Sequence, residues 1–331
     1  MDKTYVAYTT KGLEHITEKE IKSICYDATT TVLTKRIVFS TKSPPKNLLK
    51  FRTVDDIHLL IKDSTDTTKE DVEETINFIS KIRNLNNNFS ITLSRYKSDI
   101  DLKSLESQLS KKIEKLGLNY TPRDRTNLDF RVHAEDVNIT LSCRLSKESL
   151  YKRKYRKCEL KGALKPTIAA ALCYLVSPRK GEKLVDNFCG TGTILCEGFL
   201  QGLDPYGGDI NPEAVNCACE NIKGLSSDLV KHIKYLDARC TNWPDSYFDY
   251  AISNLPWGKQ VDLKGVVKLY SPSIAEYARI LKKEGNIVLL GMKPDLIVKH
   301  LKKNFQNHKI EKFKIGFLGQ TPWVVSAQYL Q

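Results

Sequence analysis

The alternation of apolar and polar residues divides the chain into two halves with different organisation. In the first half, β-branched or alternating stretches predict strands, and apolar residues every three to four positions predict helices. The predicted strands are Thr4–Thr9, Thr30–Ser40, Phe89–Arg95, Leu128–Ala134 and Val137–Leu145, the last two joined by a turn at Glu135-Asp136. The predicted helices are Gly12–Ile24, Val72–Ile82 with an acidic start at Thr67–Glu74, and Leu102–Leu116. This half is predicted to form small α+β units.

From about Pro166 onward, apolar strands alternate with helical stretches. The predicted strands are Lys183–Asn187, Pro205–Asp209, His232–Leu236, Tyr247–Ser253 and Asn286–Gly291, followed by Lys309–Ile315 and Trp323–Tyr329. Strands separated by helices imply βαβ units and a parallel sheet, in which ligands bind at the carboxyl ends of the strands. The two terminal strands, joined by Gly316–Pro322, predict an antiparallel addition to that sheet.

Length and composition place the chain among soluble globular proteins. Its 331 residues suggest about two domains, and an apolar fraction of 41% with a charged fraction of 27% is ordinary for folded domains. No apolar stretch approaches the roughly 20 residues that cross a bilayer, and the first residues lack the apolar core of a signal peptide. We therefore expect a cytoplasmic protein that does not enter a membrane.

The nine cysteines do not indicate a disulfide framework or a metal site. Their number is odd, they are scattered, and such frameworks are typical of small secreted chains. Cys217 and Cys219 lie close together, but C-x-C without a second pair or nearby histidines is not zinc spacing. We expect no bound metal and interpret most of the cysteines as small buried apolar residues.

The formal net charge of +13 attracts polyanions. Part of this charge is concentrated in residues 147–165, here called the basic segment, which holds eight Lys or Arg, two acids, Tyr151 and Tyr155. Basic side chains pair with phosphates while tyrosines stack or hydrogen-bond, so we expect nucleic-acid contacts here, with a solvated linker as the alternative. The residues expected to bind RNA are Lys152, Arg153, Lys154, Arg156, Lys157 and Lys165.

The most specific stretch is DNFCGTGT at 186–193, which follows an apolar strand and opens a predicted helix, Thr193–Gln201. Glycines in such a turn let the backbone approach a ligand closely, and the start of a helix offers free N–H groups to a carboxylate. Leu195 occupies the place of the third glycine in the dinucleotide fingerprint G-x-G-x-x-G, and this disfavours a dehydrogenase.

Acidic residues also follow the next two predicted strands. Asp209 ends the second strand, where a carboxylate can accept both hydroxyls of a ribose. Asp237 follows the third strand, where a side chain can reach an adenine amino group. A single acid of this kind could cap a helix, as Asp209 could before Asn211-Pro212. Three acids after three consecutive strands instead favour an adenosyl ligand.

The fourth strand leads into SNLPWG at 253–258. An exocyclic amine on a base is a poor nucleophile because its lone pair is delocalised into the ring. Transfer of a methyl group to it is helped when the nitrogen is held in line with the methyl and its hydrogens are accepted. The Asn254 side-chain oxygen and the Leu255 carbonyl are candidate acceptors. Pro256 stiffens the loop, and Trp257 offers a flat face to a base lifted from its stack. An ordinary Pro-Gly turn with a buried Trp is the alternative.

These stretches resemble the THUMP-containing RNA guanine-N2-methyltransferases. The similar stretches are YKRKYR at 151–156, LKPTIAAAL at 164–172, DNFCGTGT at 186–193, GDIN at 208–211 and SNLPWG at 253–258. The resemblance is specific in the second half, whereas the first 145 residues match mainly as an α/β module of suitable length and place. The family often carries Pro before or in place of Asn187, and more often Tyr or Phe in place of Trp257.

The resemblance implies an α/β fold with a Rossmann-like class I methyltransferase domain, in which a parallel sheet carries an antiparallel C-terminal hairpin. It also implies two N-terminal α+β subdomains. The implied domains are 1–60 (ferredoxin-like), 61–147 (THUMP, which grips the acceptor end of tRNA), 148–165 (basic linker) and 166–331 (methyltransferase).

The resemblance further implies roles for individual residues. The cofactor S-adenosylmethionine would be bound by Asp186, Cys189, Gly190, Thr191, Gly192, Asp209, Ile210, Asp237, Ala238 and Asn254. Within this set, Asp209 would bind the ribose and Asp237 the adenine. The catalytic loop would consist of Asn254, Leu255, Pro256 and Trp257.

The implied reaction is methylation of the N2 amine of a guanosine in tRNA. Asn at position 254 resembles the members that act near nucleotide six of the acceptor stem, which we favour, whereas members that act at nucleotide ten tend to carry Asp there. Nucleotide ten, another structured RNA, and an RNA-binding protein or subunit with an inactive site are the alternatives. Protein glutamine and DNA adenine methyltransferases use similar loops, but the basic segment and the N-terminal module favour RNA. We expect a monomer. The need for a partner subunit and the number of methyl groups added, one or two, stay open.

Overall fold

The computed structural model of the protein describes residues 2–63, 68–124, 127–256, 263–317 and 319–330. The chain forms two compact units. The first consists of Met1–Thr9 and Thr17–Tyr151, and the second of Thr10–Ile16 and Lys152–Gln331. No helix within the described ranges combines the length and the apolar character that crossing a membrane requires.

The first unit has an α+β structure. Its strands are β1 (Lys3–Tyr8), β2 (Thr29–Leu33), β3 (Arg36–Thr41), β4 (Asp56–Lys62), β5 (Asn88–Tyr96), β6 (Asn119–Tyr120), β7 (Leu128–Glu135) and β8 (Asn138–Arg144). Its helices are α1 (Glu14–Ile24), whose first residues belong to the second unit, α2 (Pro45–Leu48), α3 (Lys69–Ser80) and α4 (Leu102–Glu114). A capping box begins α3, because Asp71 N donates to the Thr68 hydroxyl and Thr68 N donates to the Asp71 carboxylate.

All eight strands of the first unit form one sheet, in the order β2-β3-β1-β4-β8-β7-β5-β6. Side chains alternate between the two faces of a strand, and the strand register places the apolar residues on the same face. This face contributes to the core of the unit through Tyr5, Ile37, Phe39, Ile57, Leu59, Phe130 and Cys143. One sheet thus includes strands from the segments predicted as ferredoxin-like and THUMP, and the division between them stays a prediction.

The opposite face of the same sheet carries charged side chains that pair with one another. A guanidinium nitrogen of Arg144 lies 3.6 Å from a carboxylate oxygen of Asp129, and another lies 3.7 Å from one of Asp56. The Arg131 guanidinium lies 3.6 Å from Asp56 and covers the ring of Tyr8, 4.1 Å from its centroid. Because Asp129 and Arg144 are buried, each charge depends on these neighbours for compensation.

The second unit is built on a seven-stranded sheet. Its strands are β9 (Lys183–Asp186), β10 (Asp204–Asp209), β11 (Ile233–Tyr235), β12 (Phe248–Asn254), β13 (Leu281–Gly291), β14 (His308–Lys314) and β15 (Trp323–Tyr329). Its helices are α5 (Pro166–Tyr174), α6 (Thr193–Leu200), α7 (Pro212–Lys223), α8 (Leu263–Ile280), α9 (Pro294–Asn304) and a short 3-10 helix, Ser227–His232.

The strand order of this sheet is β11-β10-β9-β12-β13-β15-β14. Strands β9 to β13 pair in parallel, while β15 pairs antiparallel with both β13 and β14. The predicted fold, a Rossmann-like parallel sheet with an antiparallel C-terminal hairpin, is therefore confirmed. The chain runs outward from β9 to β11 and then returns to β12 on the other side of β9. Ligands of such sheets bind at the carboxyl ends of the strands where this reversal occurs.

One predicted strand of the first half divides into two. Thr30–Ser40 forms the hairpin of β2 and β3 rather than a single strand. Lys35, at the turn, has a φ of 64°, a left-handed conformation in which glycine or asparagine is more usual. The sequence therefore contains no local signal for this turn. Helix α2 and strands β4 and β6 likewise have no counterpart among the predicted elements.

The cysteines follow the expectation in part. Five are buried thiols, namely Cys25, Cys143, Cys173, Cys189 and Cys196. Cys158 of the basic segment, however, forms a disulfide with Cys217 of α7. The two residues are 59 positions apart, so their pairing has no signature in the spacing of the cysteines.

Candidate functional site

A cavity of about 750 Å³ lies at the carboxyl ends of β9, β10 and β12, within the size range of small-molecule sites. It brings together the ends of strands that are far apart in sequence. Most of the predicted cofactor and catalytic residues line it, namely Asp186, Cys189, Gly190, Thr191, Asp209, Ile210, Asp237, Ala238, Asn254 and Pro256.

The two glycines of the turn after β9 have different surroundings. Both adopt left-handed backbone conformations, with φ of 52° at Gly190 and 74° at Gly192. Among the described residues, and apart from the chain neighbours of Gly190, no atom lies within 4 Å of the position that a Cβ would take there, so a side chain would occupy the open space that a ligand needs. At Gly192 a Cβ would lie 3.1 Å from the Cβ of Ala218. Gly192 therefore lets α6 pack against α7 and does not line the cavity.

Asp186 connects the ends of β9 and β12. Its carboxylate accepts hydrogen bonds from the Ser253 hydroxyl at 2.5 Å and from Phe188 N at 3.0 Å. Burial raises the pKa of Asp186 to about 7 against the effect of these donors, and the negative charge of Asp209 raises it further. The carboxyl group is thus held beside the start of the loop at Asn254, and a nearby positive charge would shift it toward its ionised form.

Asp209 connects β10 to the glycine turn. One carboxylate oxygen accepts a hydrogen bond from Gly190 N at 2.9 Å, and the other accepts one from Asn211 N at 3.0 Å. Asn211, rather than Asp209, caps α7, because its side chain accepts from Glu213 N at 3.0 Å. The alternative of Asp209 as a helix cap is therefore wrong.

Asp237 is paired with a residue that the sequence did not single out. Arg239 Nη2 lies 2.6 Å from the Asp237 carboxylate, and both side chains line the cavity. Hydrogen bonding from Arg239 lowers the pKa of Asp237, which keeps the carboxylate ionised. An arginine two residues after a strand-end acid was the only available signal.

The start of the predicted catalytic loop, which follows β12, is held by contacts with β13 and α8. Leu255 is buried, and its N–H donates to Leu290 O at 3.0 Å. The Tyr270 hydroxyl of α8 donates to the carbonyl of Pro256 at 2.9 Å. These contacts position the backbone directly after Asn254. Trp257, predicted to stack on the target base, lies outside the described residues.

Asn187 occupies the position where the similar family often has proline. Its N–H donates to the Tyr277 hydroxyl at 2.9 Å, a bond that proline could not form. Trp243 Nε1 donates to the Asn187 side-chain oxygen at 3.0 Å. Hydrogen bonds with two buried aromatic residues thus hold the loop in place of the fixed proline ring.

The basic segment has an inward and an outward side. The buried Glu197 of α6 accepts hydrogen bonds from Arg153 Nε at 2.9 Å and from the Tyr155 hydroxyl at 2.7 Å. Tyr155 is itself buried and cannot stack on RNA, contrary to the expectation for it. The exposed side carries Lys152, Lys154 and Lys157.

The remaining residues predicted to bind RNA are partly buried. Arg156 pairs with Glu159, 2.7 Å away, and Lys165 lies at the start of α5. A role in RNA binding stays a prediction for the whole set. The sequence also missed that residues 160–164 of the same segment line the cavity. They do so through tertiary packing, and Gly162, between Lys161 and Ala163, was the only local hint.

Comparisons with known proteins agree with this geometry. A family model described as RMKL-like, methyltransferase domain, matches residues 153–321. The tRNA (guanine(6)-N2)-methyltransferase of Thermus thermophilus is 30% identical over 190 residues, which are 56% of this chain and 54% of that protein. The U6 snRNA (guanine-N(2))-methyltransferase THUMPD2 of Mus musculus is 29% identical over 168 residues, which are 50% of this chain and 30% of that protein. The chain thus spans about half of one relative and less than a third of the other.

The fold is shared over the whole chain with a solved structure. TrmN from Thermus thermophilus superposes with a TM-score of 0.82 at 20% identity, and the match covers 100% of both chains. The family match includes the full set of strand-end residues from Asp186 to Asn254 and extends over more than half of the chain. The chain therefore belongs to the family of RMKL-like methyltransferase domains.

Proposed function

We propose that this chain transfers a methyl group from S-adenosylmethionine to the N2 amine of a guanosine in tRNA, giving N2-methylguanosine. The observation that carries the proposal is the convergence of three strand-end carboxylates and Asn254 on one cavity of a methyltransferase fold. Nucleotide six of the acceptor stem is favoured, because the Thermus relative is named for that position.

The cavity suits the cofactor in size and chemistry. S-adenosylmethionine supplies an activated methyl group on a sulfonium. The Asp209 carboxylate, at the end of β10, would accept the ribose hydroxyls. Asp237 would approach the adenine, and the open space at Gly190 would receive the methionine part. The carboxylate of Asp186 would face the positive charges of the ligand, which would favour its ionised form.

Asn254 and Leu255 would hold the target amine. The Asn254 side-chain oxygen and the Leu255 carbonyl would accept its two hydrogens, which directs the nitrogen lone pair along the line of transfer. The amine proton becomes acidic only as the new bond forms, so it can leave to water without a strong base. Ser253, next to Asn254, is held in place because its hydroxyl donates a hydrogen bond to Asp186.

The RNA would be held by charge outside the cavity. The net charge of +13 and the exposed lysines of the basic segment favour a polyanion. A THUMP subdomain in the first unit would grip the acceptor end. We further propose a monomer that acts in the cytoplasm.

The test is nucleoside mass spectrometry of unmodified tRNA incubated with the protein and methyl-labelled S-adenosylmethionine. We expect label in N2-methylguanosine, mapped to nucleotide six, and far less label with Asn254→Ala after the same incubation. Label at nucleotide ten would correct the position. No label in any RNA, despite measured cofactor binding, would overturn the activity of the isolated chain and favour an inactive RNA-binding protein or a missing partner.

A structured RNA other than tRNA is the second candidate. The mouse relative is named for U6 snRNA, and the match to it is almost as strong as the match to the tRNA enzyme. A U6 transcript in the same assay separates the two, because label in U6 and not in tRNA would replace the favoured substrate.

A further inference from the structure

The side chain of Asn221, on α7, connects two separate stretches of the second unit. Its oxygen accepts hydrogen bonds from Lys157 N at 2.8 Å and Cys158 N at 2.9 Å. Its nitrogen donates to Cys158 O and to Thr191 O, both at 2.9 Å. These four bonds use the two acceptor sites and two donor hydrogens of an amide, and the side chain is 1% exposed.

Each of the two stretches leads directly into the cavity. Thr191 lies between Gly190 and Gly192, and the adjacent Gly190 N–H holds the Asp209 carboxylate. On the other side, Lys157 and Cys158 precede residues 160–164, which line the cavity. A turn with two left-handed glycines has a permissive backbone, so the orientation of the Thr191 peptide depends on its partner.

The basic segment has further attachments to the same unit that do not involve the glycine turn. Arg153 and Tyr155 bind Glu197 of α6, and Cys158 is bonded to Cys217 of α7. These contacts hold the segment against α6 and α7, and none of them involves the carbonyl of Thr191. Among the described hydrogen bonds of the Asn221 side chain, the one to Thr191 O is the bond that joins the segment to the cofactor side of the cavity.

We propose that Asn221 is a positioning residue, which sets the distance between the glycine turn and the wall formed by residues 160–164. The proposal rests on the proposed function, because it assumes that S-adenosylmethionine binds in this cavity. Loss of the Asn221 contacts weakens cofactor binding and raises the KM for the cofactor. The rate at saturating cofactor changes little, because Asn221 contacts neither the target amine nor Asn254.

Asn221→Asp tests the connection with little change of shape. The carboxylate still accepts from Lys157 N and Cys158 N, but it cannot donate to the carbonyls of Thr191 and Cys158. We expect calorimetry without RNA to give a Kd for S-adenosylmethionine raised about tenfold, because a turn no longer held at Thr191 must be ordered when the cofactor binds, at about the cost of fixing one residue. Asn221→Ala, which buries no charge, should raise the Kd at least as much and carries the test if the aspartate variant does not fold.

Asn127→Asp is the matched control. Asn127 is a buried asparagine of the first unit that accepts from Asn86 N at 3.1 Å and donates to the carbonyls of Asn86 and Asn88. The substitution removes the same kind of donor and should lower the free energy of unfolding without changing the Kd. Hydrogen exchange of a peptide covering residues 186–193 should speed up in Asn221→Asp and not in Asn127→Asp.

The outcomes separate this inference from the proposed function. An unchanged Kd in both Asn221 variants, or an equal rise in the Asn127 control, would overturn the positioning role. If the unaltered protein binds no S-adenosylmethionine, the proposed function fails, and the hydrogen-exchange comparison still decides whether Asn221 orders the turn.

Discussion

The two sheets of this protein place their acidic residues in different surroundings. On the face of the eight-stranded sheet, Asp129 and Asp56 each lie within 3.7 Å of an arginine side chain. At the edge of the seven-stranded sheet, Asp186 receives its hydrogen bonds from uncharged donors, a serine hydroxyl and a main-chain N–H. Asp209 receives its bonds from two main-chain N–H groups.

The difference separates charge that stabilises a fold from charge that is available to a ligand. In the first sheet each carboxylate is compensated within the protein, so removing a partner should cost stability. At the second edge the Asp186 and Asp209 carboxylates are oriented by uncharged donors and, within the described residues, are not paired with a cation, so their loss should cost binding. This comparison also shows that burial of an acid does not by itself indicate a site.

The largest effect is expected from Arg144→Met, which removes the cation beside Asp129 and Asp56. Breaking a buried ion pair leaves a charge uncompensated and should lower the free energy of unfolding by about 3–5 kcal/mol. Urea denaturation followed by circular dichroism measures it. Arg95→Met, at an exposed arginine of β5, is the control and should change little. An equally stable Arg144→Met protein would show that the network is not needed for folding.

Asn254→Ala should act on the rate and not on the fold. Loss of one oriented acceptor in a methylation site predicts a rate lowered on the order of 10²-fold or more. Single-turnover assays with saturating cofactor measure it, and Asn307→Ala, at an exposed asparagine of the same unit, serves as the control. An unchanged rate would remove Asn254 from the mechanism.

The Asp186 carboxylate predicts a pH dependence of cofactor binding. Its pKa of about 7 means that it is mostly neutral at about pH 6 and mostly ionised at about pH 8. Because S-adenosylmethionine carries positive charge, calorimetry should show affinity that rises up to about tenfold over this interval. Asp186→Asn should bind weakly with a flat profile, and a profile that stays steep in this variant would point to another group.

The same shift predicts how the stability of the free protein depends on pH. The folded pKa of Asp186 lies above the ordinary value of 3.8, so the unfolded chain binds fewer protons between these two pH values. The contribution of Asp186 to stability is full below pH 3.8 and is lost as the pH rises through about 7. Asp186→Asn should therefore gain stability relative to the unaltered protein as the pH rises, which is the opposite of a compensated acid.

The smallest effect is expected from the outward lysines of the basic segment. Replacing Lys152, Lys154 and Lys157 with Gln should weaken RNA binding several-fold and reduce the slope of log K against log salt by about two to three. Arg153 stays in place because it binds Glu197. The control replaces three exposed lysines of α9, Lys299, Lys302 and Lys303. Equal slopes in both triple variants would show that only net charge matters.

The strands that carry the site could be predicted because each combines an apolar run with a polar residue at its end, as in Leu184-Val185-Asp186. Strand β4 (Asp56–Lys62) could not be predicted in this way. Its alternate residues Asp56 and His58 are polar yet buried, and the burial of Asp56 depends on arginines from strands that lie nearby in the same sheet but are distant in sequence. Local hydrophobicity cannot predict the burial of a charged residue whose charge is compensated by residues more than 70 positions away.

The cavity could be predicted where it is made of strand ends and not where another segment packs over them. The position of residues 160–164 depends on Asn221 and Glu197, which contact the preceding residues from two different helices. Tyr155 points inward for the same reason, because its hydroxyl binds Glu197 of α6. Alternating basic and aromatic residues predicted a nucleic-acid surface, but the pattern contains no information on which residues meet a buried glutamate.

The stretch Thr10–Ile16 has a consequence for the synthesis of the protein. Leu13 and Ile16 are buried in the second unit, in the same core as Ile168 and Val324. At about 5–20 residues per second, a ribosome adds Val324 tens of seconds after it has added Ile16. This core thus cannot form completely during translation until Val324 has been added. Until then, the side chains of Leu13 and Ile16 lack the core residues that bury them in the folded protein.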